Sequence, residues 1–367
     1  MTPLESEFDL IFKNKGGRYI NRNSDIQDLA WSLASSRILI AWIRRTEAHL
    51  PEPYIDIIDN IEPNAFATKS GSKYFIGITY GAIVIFQDIF YRMYSSKIFL
   101  ADVGEQVKEV DADEKFFLRL THMAQFALPD DPPTKSSPIN DIRFFLSFQI
   151  MKMAFEFLVW HEFAHIIYGH LGFVHSVLGS FEIREMKREK ETRKWIDPLI
   201  SQTLEVKADS YAAIRGMDIL EILISNPGML SPGLRPYFND WSVALKMWVF
   251  ATYTFFRLFS NQNIATGMKK ASHPPPSVRS HLVLAVAISA LDGRNNVPPS
   301  RILSKLCVTA AAEIEMVFGE ISQNVPDFTH LIFSTQDEIS EHALFLGKHW
   351  NNVMPLLQPF TFSPLPE

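Results

Sequence analysis

Apolar positions recur at helical spacing through most of this chain. The periodicity predicts helices over 24–48, 82–94, 104–126, about 141–168, 200–224, 240–260, 278–292, 301–322 and 337–349. One stretch breaks the pattern. Residues 73–79, Lys-Tyr-Phe-Ile-Gly-Ile-Thr, are β-branched and aromatic and follow Gly71, which predicts a strand. The chain therefore reads as mainly α with a small β-sheet near residues 64–79. Residues 128–139 are dense in Pro, Asp and Ser and read as a loop. Asn140 and Asp141 can cap the helix that follows, with Pro138 just outside. That helix would be about 40 Å long, with Gly169 and Gly172 as stop signals. The mixed-charge run 183–194 reads as a solvated helix face, with a mobile flap as the alternative. From Pro355 onward the chain reads as extended. A main domain over 1–295 and a helical extension over 296–367 packed on it are expected.

Composition narrows the classes. The 367 residues suffice for a large core, and 47% hydrophobic with 21% charged is ordinary globular usage. A net charge of −6 without a long basic tract argues against nucleic-acid binding. Cys307 is the single cysteine, so an internal disulfide and a Cys-rich metal site are both excluded. The first thirty residues carry Glu5, Glu7 and Asp9 and no apolar core, so a secretory leader is not expected. Together these point to a cytoplasmic protein. Residues 144–160 carry Gln149, Lys152 and Glu156, which disfavours lipid exposure. Residues 241–260 carry only Lys246 and Arg257; a buried helix is expected there, with membrane association as the alternative.

Within the long apolar helix, residues 161–165 read His-Glu-Phe-Ala-His. Positions i and i+4 share a helix face, so His161 and His165 can grip one zinc ion, and Glu162 beside them can take a proton from a zinc-activated water. A catalytic zinc site needs a third protein ligand. His170 lies about 140° around the helix from His165 and falls at the Gly169 stop, so a cap or surface role is expected for it. Glu205 is the better candidate. In Leu-Glu-Val-Lys-Ala-Asp (204–209), Glu205 and Asp209 are again i and i+4, and Ala208 and Ala212 would let a second helix approach closely. Asp is an indifferent helix-interior residue, so Asp209 is expected to accept the ring N–H of a ligand histidine, His161. The bland alternative is a solvated Glu/Asp pair, and the glutamates at 185–191 are rival ligands.

His-Glu-x-x-His followed by Glu-x-x-Ala-Asp resembles the gluzincin zinc peptidases. Pro63-Asn64-Ala65-Phe66-Ala67 with the strand 74–79 and Gly81, and Ser272-His273-Pro274-Pro275-Pro276-Ser277-Val278-Arg279, are similar to segments of the HtpX and CAAX-prenyl-endopeptidase family, in that family's order. The Lit-type phage-exclusion peptidases are a second resemblance. The family's membrane enzymes carry several clear spans and this chain does not, which implies a soluble relative. The resemblance implies a zincin-like core over 1–295, one zinc per chain, and a protein or peptide substrate. It implies that the strand 74–79 is the edge to which an extended substrate adds, and that His273 donates to the oxyanion. Asn64 would bind substrate or oxyanion, and Arg279 would orient a carboxylate near the metal. A turn starter at Asn64, a loop histidine at 273 and a surface arginine at 279 are the alternatives. The expected activity is peptide-bond hydrolysis; the competing class is a catalytically silent zinc-binding sensor or interaction module on the same fold.

Overall fold

A capping box opens the chain in the computed structural model: the Thr2 hydroxyl accepts from Glu5 N–H while the Glu5 carboxylate accepts from Thr2 N–H. The structure describes residues 1–20, 27–104, 138–179, 182–184, 196–258, 271, 273–322, 324–334 and 336–365. In chain order its elements are α1 (Pro3–Ile11), α2 (Gln27–Thr46), β1 (Tyr54–Ile58), β2 (Ala65–Ser70), β3 (Lys73–Thr79), α3 (Tyr80–Ser95), α4 (Asp141–Ile167), α5 (His170–Leu178), β4 (Glu182–Arg184), α6 (Pro198–Ser225), α7 (Trp241–Leu258), α8 (Pro276–Ala290), α9 (Ser300–Ile321), α10 (Thr329–Ser334) and α11 (Asp337–Leu357). The mainly helical, small-sheet reading holds. All but Gly104 of the helix expected over 104–126, most of the 128–139 loop and residues 185–194 of the charge run lie outside the described residues; the first two residues of that run, Ile183 and Arg184, belong to a strand and not to the helix face expected there.

The sheet runs β1-β3-β2-β4, with β1 parallel and β2 antiparallel to β3, and β4 antiparallel to β2. Side chains alternate across it. Phe66 and Phe75 face Phe8 and Phe12 of the first helical segment, together with Ile58. Ala65, Ala67, Ile76 and Ile78 face the main helical core. The strand expected to form the substrate edge, 74–79, is corrected here: it is β3, paired on both sides by β1 and β2. Its Phe75 and Ile76 to Ile78 are fully enclosed, which suits an interior strand and not an edge.

α4, 27 residues long, is one of the two longest helices among those described. The Asn140 side chain caps it by accepting from Ile142 N–H and Arg143 N–H. Gly169, at φ 75°, ends it in the left-handed region. Gly172 does not stop a helix; it lies inside α5, which begins directly after Gly169. α6 starts at an Asp197 cap with Pro198 in its first turn. α4 and α6 form the most extensive helix–helix contact among the described residues. Ala208 and Ala212 of α6 are wholly buried, as the small-residue face predicts. α7, over the stretch weighed as a membrane contact, is buried among α4, α8 and α9. Among the described residues no helix is long and apolar enough to cross a membrane. α11 runs to Leu357, through the Pro355 where extended chain was expected. A proline this late forfeits one helical hydrogen bond, and Trp350, Val353 and Leu357 gain burial against Phe173, Val174 and Leu204.

The first turn of α4 is pinned by a single side chain. Arg143 is fully buried and donates to five backbone carbonyls: Tyr94 (2.6 Å), Ser96 (2.7 Å), Phe99 (2.8 Å), Leu100 (2.9 Å) and Val103 (3.0 Å). It thereby closes the turn after α3 onto α4. Arg143→Met keeps the stem and removes the donors. It is expected to lower stability by about 3 kcal/mol or more in urea unfolding; a loss below about 1 kcal/mol would mean that those carbonyls find other donors.

Candidate metal centre

His161 and His165 stand one turn apart on α4 and turn their Nε2 atoms toward each other, 3.0 Å apart. Glu205 arrives from α6. Its Oε2 lies 3.4 Å from His161 Nε2 and its Oε1 3.8 Å from His165 Nε2. All three side chains are buried, and their ligand atoms lie within 4.8 Å of one another. Donors bound to one tetrahedral zinc at about 2.0–2.1 Å are roughly 3.3 Å apart, so these separations bracket what the ion needs. The donor chemistry agrees, two imidazoles and one carboxylate. Glu205 Oε2 is enclosed and takes no hydrogen bond among the described residues. A buried carboxylate oxygen in that state is costly unless a cation satisfies it. This is a buried His-His-Glu group consistent with an H-E-x-x-H…E zinc site.

The remaining nitrogens of both imidazoles are held, each by a different kind of partner. His161 Nδ1 lies 2.9 Å from Asp209 Oδ1. Arg279, from the first turn of α8, clamps the same carboxylate with Nε at 2.7 Å and Nη2 at 2.8 Å. Its guanidinium stacks over the Phe256 ring at 5.1 Å. Burial by itself would push the Asp209 carboxyl up; Arg279 and His161 more than offset it and hold the group below the usual carboxylate range. Asp209 can then accept from His161 Nδ1–H and leave Nε2 to face the metal. His165 Nδ1 instead meets His170 Nδ1 at 2.8 Å. Burial, then the neighbouring His161, drives the His165 pKa well down, and the same two causes bring His170 to about 3. Both rings are neutral near pH 7, the form in which imidazole ligates.

Each residue singled out in the sequence can now be placed. His161, Glu162, His165, Glu205 and Asp209 lie together, all within a few per cent of full burial. His273, just before α8, joins them with Nε2 at 3.5 Å from Glu205 Oε1. Its side chain is 17% exposed, while the Nε2 that faces Glu205 is itself enclosed. Arg279 is a buried partner of Asp209 and not a surface arginine. Asn64 clamps the start of β2 to the end of β3: its N–H donates to Thr79 Oγ1, and its carbonyl accepts from Thr79 N–H. Its side-chain oxygen accepts from Ala65 N–H, as a turn starter's does. His170 was expected at the surface or as a cap and is instead fully buried against His165. The angle computed along one continuous helix does not apply, because the left-handed Gly169 redirects the chain and starts α5 at His170. The visible signal was the Gly-His step itself, directly after the histidine pair.

No protein-family model matches this chain, and neither a curated protein nor a solved structure matches it. The metal centre therefore rests on its own geometry. Glu205→Ala is expected to drop bound zinc well below one equivalent in elemental analysis; undiminished stoichiometric zinc would remove Glu205 from the ligand set.

Proposed function

We propose that this protein is a zinc-dependent endopeptidase, similar in its active-site segments to the gluzincins and to the HtpX and CAAX-prenyl-endopeptidase family, with the Lit-type peptidases as a second likeness. The observation that carries the reading is Glu162. It is a fully buried carboxyl next in sequence to His161, on a helix whose His161 and His165 share a cluster with Glu205.

His161, His165 and Glu205 would hold the ion. Zinc, when bound, supplies a Lewis acid that brings a water's pKa toward neutrality and polarises a carbonyl. Glu162 takes the proton from the attacking water and returns it to the leaving amine. His273, the more solvent-facing member of the group, donates to the oxygen on which charge develops. Asp209, backed by Arg279, keeps His161 in the tautomer that leaves Nε2 free to ligate. The substrate would be a protein or peptide, cleaved in the cytoplasm.

Glu162→Gln preserves shape and removes the base. It is expected to keep one equivalent of zinc and to lose hydrolysis of a generic protein or peptide by about 10²–10⁴-fold. Turnover at the wild-type rate would refute the role of Glu162. A wild-type protein that cleaves nothing while holding zinc would instead mark a silent metal-binding module.

A further inference from the structure

We infer that His170 is the positioning residue for the metal ligand His165, and that the segment 360–362 clasps it in register. The inference rests on the zinc-site reading above and concerns how that site is built.

A neutral imidazole ligates through one nitrogen only if the other carries its proton. His165 Nε2 faces His161 and Glu205. Ligation there puts the proton on Nδ1, which must then find an acceptor inside the protein, because His165 is fully enclosed. The acceptor at hand is His170 Nδ1, 2.8 Å away, with the two ring centroids 5.0 Å apart; accepting there leaves the His170 proton on its enclosed Nε2, which meets no partner among the described residues. The two ligand histidines are therefore oriented by unlike partners. His161 leans on a carboxylate that a guanidinium supports, and His165 leans on a second neutral imidazole.

His170 is the first residue of α5, so its place depends on the turn at Gly169. That turn is packed from outside. A Cβ added at Gly169 would stand 2.5 Å from the Phe360 carbonyl carbon, and one added at Gly172 would stand 2.8 Å from Phe360 Cδ1. The next two residues tie the same segment to the end of α4. Phe362 N–H and the Thr361 hydroxyl both donate to the Ile167 carbonyl, at 2.8 and 3.1 Å. Phe362 also meets Tyr74 of β3 edge-on at 5.6 Å. The clasp holds the α4–α5 turn against the sheet, and the turn holds His170 against His165.

The test uses the full chain, stripped of metal with a chelator and titrated with zinc against a chromophoric chelator. In His170→Asn the amide oxygen stands where the imidazole Nδ1 was, and affinity is expected to stay within about threefold of wild type. His170→Leu has no acceptor and His170→Ser is too short to reach. Each is expected to weaken zinc binding by about 10- to 100-fold. Phe360→Ala leaves the ligand set untouched and is expected to weaken it several-fold. Wild-type affinity in the Leu and Ser variants would overturn the inference. So would an Asn variant weakened as much as Leu, since ring volume alone would then matter. Should His170→Leu fail to fold, the Ser and Asn variants decide. Unchanged affinity in Phe360→Ala would remove the clasp. Failure of the wild-type chain to bind zinc is a separate result, and it would sink the zinc-site reading itself.

Discussion

The close packing of α4 on α6 is the constraint on which the rest depends. It buries ionisable groups, and burying charge is unfavourable unless each charge has a partner of good geometry. Asp209 and Arg279 satisfy each other through two parallel hydrogen bonds. Glu162 and Glu205 are the further carboxyls of the cluster, set among the imidazoles, and as carboxylates they would balance a divalent cation. Ala208 and Ala212, wholly buried on the helix that carries Glu205, add little bulk to its packed face.

The helix bearing the histidines is fastened at both ends. Arg143 gathers five carbonyls of the 94–103 segment at its start. At its finish, the Ile167 carbonyl receives two donors from residues 361 and 362. Between those anchors α4 lies against β2, β3, α3, α6 and α7. Metal sites tolerate little positional error, and ligands on a rigid, doubly anchored helix keep theirs. The sheet contributes by backing this helix. β3, enclosed on both sides, serves as a structural strand in this chain.

Much of this was legible in the residues, and the boundary is instructive. α4 and α6 were placed within a residue or two, since both are long and their apolar spacing repeats over many turns. α1 escaped notice although Thr2, Pro3 and Glu5 form a readable start signal. β1 and β4 escaped because they are five and three residues long and draw their stability from pairing with distant strands. At the metal centre, His161 and His165 announce themselves by spacing alone, and Glu205 with Asp209 by a helix face of unusual composition. Arg279 comes from a helix 70 residues beyond Asp209, and only a sequence resemblance pointed to it.

By itself, then, the sequence determined which side chains share a helix face, where the principal helices begin, and which donor types are present to hold a cation. Those properties are encoded within a turn or two of backbone, where 3.6-residue periodicity and capping chemistry act locally. Tertiary structure alone decided that β3 lies inside its sheet, that the Asp209 carboxylate meets a guanidinium, and that a left-handed glycine swings His170 onto His165. These depend on where segments far apart along the chain come to rest, a choice settled by the sum of many weak packing contacts that no short window of residues contains.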